Sequence, residues 1–183
     1  MKSRGPLPTR WLVLAVMLVI AARASSAAPI ALNTPAGLNP GDSFRFLFVT
    51  SGATAATSSD INTYNTFVQA QAGGATYNGV TVNWKAIGST ATVNARDNVG
   101  GFGTTIGVYM PSGTPLADSM TSNINGLWSG TLLAAPSEHL DGTTITEYPW
   151  TGSSLAGTAP GFGSYLGDLF GVIAGSTVSN VSW

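Results

Sequence analysis

The chain contains no cysteine, so no covalent staple can hold its fold together. Exported domains commonly rely on disulfides; a chain without them must stabilise itself by burying apolar surface. Residues 28–183 are enough for that, because a domain of about 150 residues buries roughly 68–70 % of the surface its unfolded chain exposes. Thiol nucleophiles, zinc–thiolate centres and disulfide exchange are excluded with the cysteines.

Export is itself read from residues 1–27. A basic start (Lys2, Arg4, Arg10) leads into an apolar run from Trp11 to Ala22, which closes on Ala24-Ser25-Ser26-Ala27-Ala28. That is the plan of a secretory signal peptide. The run is shorter than the roughly 20 residues that span a bilayer core as a helix. Ser25 and Ala27 occupy the two positions a signal peptidase reads, and Pro29 disfavours a cut after Ala28. Cleavage after Ala27 is therefore expected, giving a product that is secreted or held at the cell surface and has no membrane span.

Cleavage changes the charge balance. Lys2, Arg4, Arg10 and Arg23 leave, so Arg45, Lys85 and Arg96 face all eight acids. Three scattered cations cannot make the basic stripe that phosphate backbones require, and nucleic acid is excluded as a partner. Charged residues are only 8 % of the chain, against about 25 % in ordinary soluble domains. Hydroxyls and amides must supply solubility, while Trp84, Trp128, Trp150 and Trp183 with many Val, Ile, Leu and Phe supply burial and argue against disorder.

Residues 28–42 read as a Pro-containing lead-in, and residues 43–183 as a single α+β domain of short mixed or antiparallel strands, one main helix and long loops. Ser43 to Thr50 is dense in aromatic and branched residues, the composition of a core strand. Ser58-Ser59-Asp60 is an N-cap cluster, followed by Ile61, Tyr64, Phe67, Val68 and Ala72 at helical spacing until Gly73-Gly74 stops the pattern. Val80 to Ile87 alternates as a strand entered through Asn78-Gly79, and Thr90 to Asn98 suits a helical turn. Ile106 to Met110, the turn Pro111-Ser112-Gly113-Thr114 and Thr114 to Ala117 read as a hairpin. Short strands are expected at Leu127 to Leu133, at Thr143 to Thr151 and within Val172 to Trp183.

The order of several stretches resembles a group of secreted bacterial proteins associated with PEP-CTERM sorting signals, whose domain is similar to the C-type-lectin-like and endostatin-like fold. The stretches are Phe46-Leu47-Phe48-Val49-Thr50-Ser51, Phe67-Val68-Gln69-Ala70, Trp84-Lys85-Ala86-Ile87 and Ala95-Arg96-Asp97-Asn98. Further on come Val108 to Thr114, Gly126 to Ala134 and Trp150-Thr151-Gly152. The resemblance implies a lectin-like fold over most of residues 43–183. Proteins of that group continue past the position of Trp183, often into a sorting tail. It therefore implies either a chain truncated at its C terminus or a freely released form with a short closing strand. The calcium-binding sugar lectins of this fold set Glu-Pro-Asn or Gln-Pro-Asp and Trp-Asn-Asp around the ion. This chain has Ala135-Pro136-Ser137 and Trp150-Thr151-Gly152 there.

The candidate chemistry gathers in one stretch. His139 is the only histidine and so the only ready general base near neutral pH. Ser137, Glu138 and Asp141 beside it sketch a hydrolytic group, yet no Gly-x-Ser-x-Gly elbow is present, and a solvated loop residue is the expectation for His139. Glu138, Asp141 and Glu147 are the densest acids, and with Thr143, Thr144 and backbone carbonyls they are the candidate ligands for calcium. The plainer reading makes them exposed acids on a polar hairpin that turns at Asp141-Gly142. The tryptophans could stack on sugar rings, but at strand positions they read as core. Arg96-Asp97 reads as a loop-fixing pair. Together these features give a secreted, non-catalytic binding or surface-structural module with no cofactor and an extracellular glycan or protein as ligand. The alternatives are a carbohydrate-active hydrolase with paired carboxylates and a calcium-dependent lectin.

Overall fold

Asp60 starts the main helix. It holds extended backbone (φ −92°, ψ 114°) and its carboxylate accepts the Asn62 N–H at 2.9 Å, satisfying one of the donors that a helix start leaves open. Helix α1 runs over Ile61–Gln71 and buries Ile61, Tyr64 and Asn65. It ends where Gly73 and Gly74 take positive φ (55° and 77°). The computed structural model describes residues 28–145, 149, 151–161 and 164–168. The leader, Glu147, Trp150 and the closing strand expected within Val172 to Trp183 lie outside the described residues.

The structure is α+β, with two small mixed sheets beside α1. In the first, β1 (Ala31–Leu32) pairs in parallel with β3 (Thr76–Tyr77), which pairs antiparallel with β4 (Val80–Thr81). Asn78 and Gly79 join β3 to β4, both at positive φ (50° and 76°), as a two-residue hairpin turn demands. In the second sheet the order is β2-β5-β6: β2 (Phe44–Phe46) lies parallel to β5 (Gly107–Tyr109), and β6 (Pro115–Ala117) returns antiparallel. The turn between β5 and β6 closes by Met110 N–H to Thr114 O at 2.9 Å and Gly113 N–H to Met110 O at 2.8 Å. This is the hairpin the sequence leads one to expect. A short helix, α2 (Ala95–Val99), follows the Thr90 stretch.

Three apolar clusters make the core. Val108, Leu116, Ala117, Met120 and Trp128 pack behind β5 and β6. Leu32, Ala72, Ala75, Trp84 and Leu140 pack between the first sheet and the end of α1. Ile61, Tyr64, Ala86 and Leu166 pack on the start of α1. Burial pushes the Tyr64 phenol above its ordinary pKa, partly offset by the Ser58 N–H, which donates to the phenol oxygen at 2.9 Å.

Two expected strands are corrected. Leu127 to Leu133 is turn, because Ser129 Oγ donates to Gly126 O at 2.7 Å and accepts the Thr131 N–H at 3.0 Å, and this side-chain bonding closes the backbone on itself. Beyond Thr81, the stretch up to Gly88 forms no ladder with another strand. Side-chain amides hold it instead. Gln69 Oε1 accepts the Trp84 N–H at 2.7 Å while its Nε2 donates to Val82 O at 3.2 Å. Asn65 Oδ1 accepts the Ala86 N–H at 2.9 Å, and Asn98 Nδ2 donates to Ala86 O at 2.7 Å.

Candidate functional site

The acidic stretch folds as a hairpin over residues 137–145. Ile145 N–H reaches Ser137 O at 2.8 Å, His139 N–H reaches Thr143 O at 2.9 Å, and Gly142 N–H reaches His139 O at 3.0 Å. Gly142 supplies the positive φ (80°) that a turn of this type needs after its Asp. The plainer sequence reading of the turn therefore holds.

Its polar side chains are spent on the fold. Both Glu138 carboxylate oxygens sit on Ser112, Oε2 accepting the backbone N–H at 2.9 Å and Oε1 the hydroxyl at 2.7 Å. This staples the hairpin to the turn between β5 and β6. The Val49 N–H donates to Glu138 O at 2.8 Å, and His139 Nδ1 lies 2.8 Å from Val49 O. A carbonyl can only accept, so Nδ1 carries the proton of that bond. The solvated loop residue expected at position 139 is thus corrected: His139 is half-buried and tied to the continuation of β2.

Asp141 turns the other way. Its Oδ1 accepts the Thr143 hydroxyl at 2.6 Å and the Thr143 N–H at 2.9 Å, and these bonds to the ionised form hold the carboxyl below its ordinary pKa. Glu138 and Asp141 thus serve separate partners, and Glu147 lies outside the described residues. Among the described residues, no group of three or more His, Asp or Glu side chains is placed to hold a metal ion.

Trp84 and Trp128 are 6 % and 5 % exposed, in keeping with the core reading, but the Nε1 of each lacks a hydrogen-bond partner among the described residues. Both line a cleft of about 1380 Å³, walled also by Phe46, Phe48, Val68 and Ile87. The Phe48 and Trp84 rings meet edge to face there, 4.7 Å between centroids. Arg45 and Lys85 also line the cleft; Arg45 Nη1 donates to Val99 O at 2.9 Å, while Arg96 lies over the Phe102 ring at 4.5 Å and 3.9 Å from Asp97. Asp97 also accepts from Asn94 Nδ2 at 2.8 Å, so the loop-fixing pair expected here is corrected: Arg96 and Asp97 lie within α2 and the Asp97 bond is local to the start of that helix.

Sequence reasoning missed Asn65, Gln69 and Asn98. The signal was the spacing of Ile61, Asn65 and Gln69, four apart and so on one helix face, which puts two amides in line with a buried isoleucine. No helix among the described residues is long and apolar enough to cross a membrane. In comparisons with protein-family models, curated proteins and solved structures, the chain matches none.

Proposed function

We propose that this chain is a non-catalytic binding or structural module acting outside the cell or on its surface. The observation that carries the reading is the employment of the candidate catalytic groups inside the fold: Glu138 on Ser112, His139 on Val49 and Asp141 on Thr143. A hydrolase needs its base and acid aimed at a substrate rather than at the backbone that supports them. The extracellular setting rests on the leader at residues 1–27. The finer fold assignment, C-type-lectin-like, rests on the order of the resembling stretches and is compatible with α+β architecture. The ligand class is an extracellular glycan or protein.

Glycan- and peptide-array binding by the secreted protein, with and without chelator, tests this reading. Binding that survives both EDTA and His139→Ala supports it. Binding abolished by EDTA and restored by calcium replaces it with the calcium-dependent lectin. Turnover of chromogenic glycosides that is lost in Glu138→Gln or His139→Ala replaces it with the hydrolase.

A further inference from the structure

The sequence contains two Asn-Gly dipeptides, Asn78-Gly79 and Asn125-Gly126, and the fold treats them in opposite ways. Glycine has no Cβ to shield its own nitrogen, and that nitrogen can attack the amide carbon of the asparagine side chain before it. Asn78-Gly79 is the turn between β3 and β4, and both residues are exposed. Neither the Asn78 side-chain amide nor the Gly79 N–H has a hydrogen-bond partner among the described residues. β4 is the outer strand of its sheet, its ladder with β3 is two residues long, and Val80 beside the turn is 70 % exposed. So short a ladder at a sheet edge opens locally at low cost, and the turn can leave its resting geometry for one in which the nitrogen reaches the side chain.

Asn125 also lies at positive φ (60°), so backbone conformation alone does not separate the two sites. Bonding and burial do. Gly126 is buried, and its N–H, the nitrogen that would have to attack, donates to Asn123 O at 2.8 Å. Asn125 Nδ2 donates to Asp118 Oδ2 at 3.3 Å, and Asn125 O accepts the Asp118 N–H at 2.9 Å. A side chain placed at Gly126 would strike the Thr121 carbonyl, so closely does the neighbouring backbone pack there. These bonds must open before the Gly126 nitrogen can attack, and one of them alone is worth roughly tenfold in rate.

We propose that Asn78 is a self-modifying site of this protein, converted to aspartate and isoaspartate through attack by the Gly79 nitrogen, while the fold spares Asn125. The Gly79 nitrogen gives up its proton to solvent base and bonds to Asn78 Cγ. The bond from Cγ to Nδ2 breaks, and Nδ2 leaves as ammonia after taking a proton from solvent. The product is a cyclic imide, and water then adds to either of its carbonyl carbons. Addition at Cγ opens the ring to an ordinary aspartate; addition at the backbone carbonyl carbon of residue 78 leaves the chain running through Cβ and Cγ, an isoaspartate. Water is consumed and ammonia released. Aspartate suits the two-residue turn as asparagine does. Isoaspartate lengthens the loop by a methylene and breaks the register in which Tyr77 faces Val80. The bond from Val82 N–H to Ala75 O at 2.9 Å closes the sheet behind the turn, so the change stays within the hairpin. Either product brings a negative charge to a residue on the wall of the cleft.

Incubation of the full secreted chain in mildly alkaline buffer made with heavy-oxygen water, followed by peptide mass mapping and separation of isoaspartyl from aspartyl peptides, tests this. The peptide holding Asn78 is expected to take up heavy oxygen and to include isoaspartate, at a rate at least about 10-fold that of the peptide holding Asn125. In the same buffer with urea, where no fold distinguishes them, the two sites are expected to react at comparable rates. A smaller ratio in the folded chain overturns the proposal, and so does an Asn78 that stays intact while the urea-unfolded chain reacts. A ratio that persists in urea overturns it as well, because the flanking residues and not the fold would then set the choice. Product at position 78 made only of ordinary aspartate overturns the attack by Gly79, since direct hydrolysis of the side chain yields no isoaspartate.

Discussion

The two flanks of β2 are built on different principles. On one side, β5 and β6 are joined to it by backbone pairing, and behind them Leu116, Met120 and Val108 are almost wholly buried. On the other, the stretch 82–88 is held by three side-chain amides, Asn65 and Gln69 from α1 and Asn98 from α2. Backbone pairing is available to any sequence and leaves the side chains free to choose their packing. Amide strapping asks for Asn or Gln at particular positions, so that stability there depends on three residues rather than on a ladder. The first flank should tolerate polar change at its surface and suffer from cavities. The second should behave the other way.

The largest expected effect sits in the first flank. Leu116 is fully buried, and Leu116→Ala should cost about 2–5 kcal/mol through lost transfer energy and the cavity left behind, read as a lower midpoint in urea or heat. Asn65→Ala comes next. It strands the Ala86 N–H and removes a partner from Asn98, a loss of about 1–3 kcal/mol that should also speed exchange at the Ala86 amide and leave the hairpin of β5 and β6 untouched. An Asn65→Ala loss matching that of Leu116→Ala, or one spread over both flanks, would break the distinction.

The smallest effect sharpens the picture at the hairpin that bridges the flanks. The bonds from Thr143 lower the Asp141 pKa, so the ionised form is favoured in the fold. A carboxyl lowered in this way contributes its stabilisation above the ordinary carboxylate range and loses it as pH falls through the folded value. Thr143→Val removes the hydroxyl donor and should move the Asp141 titration, followed by carbon NMR, up towards its ordinary position, with a shallower loss of stability in acid. An unchanged titration would show that the backbone N–H of Thr143 alone sets it.

Much of this was legible in the residues, for physical reasons that differ by element. The Asp60 cap, the 3.6 spacing after it and the Gly73-Gly74 stop are local signals, and α1 obeys them. The hairpin through Ser112-Gly113 and the turn at Asp141-Gly142 are likewise decided within a few residues. The alternation over Val80 to Ile87 reported that Trp84 and Ala86 face inward, and they do; it was silent on what accepts their N–H groups, because periodicity records burial and not bonding partners. Glu138 meeting Ser112 and His139 meeting Val49 join positions 26 and 90 residues apart. Nothing in a local window carries such a contact. For that reason His139 read as solvated, and the staples of the hairpin were invisible.

The pairing of Gln69 and Asn65 with Trp84 and Ala86 fixes how this sequence can drift over generations. One helical turn separates the two amides, and two residues of extended chain separate their targets. A single inserted or deleted residue between Asn65 and Gln69 would swing one amide about 100° around the helix and off its mark, and one between Trp84 and Ala86 would turn the second N–H to the wrong edge. Length variants of this protein are therefore expected in the loops, such as the Gly100–Gly103 stretch, and not within these two short spans, whatever substitutions accumulate around them.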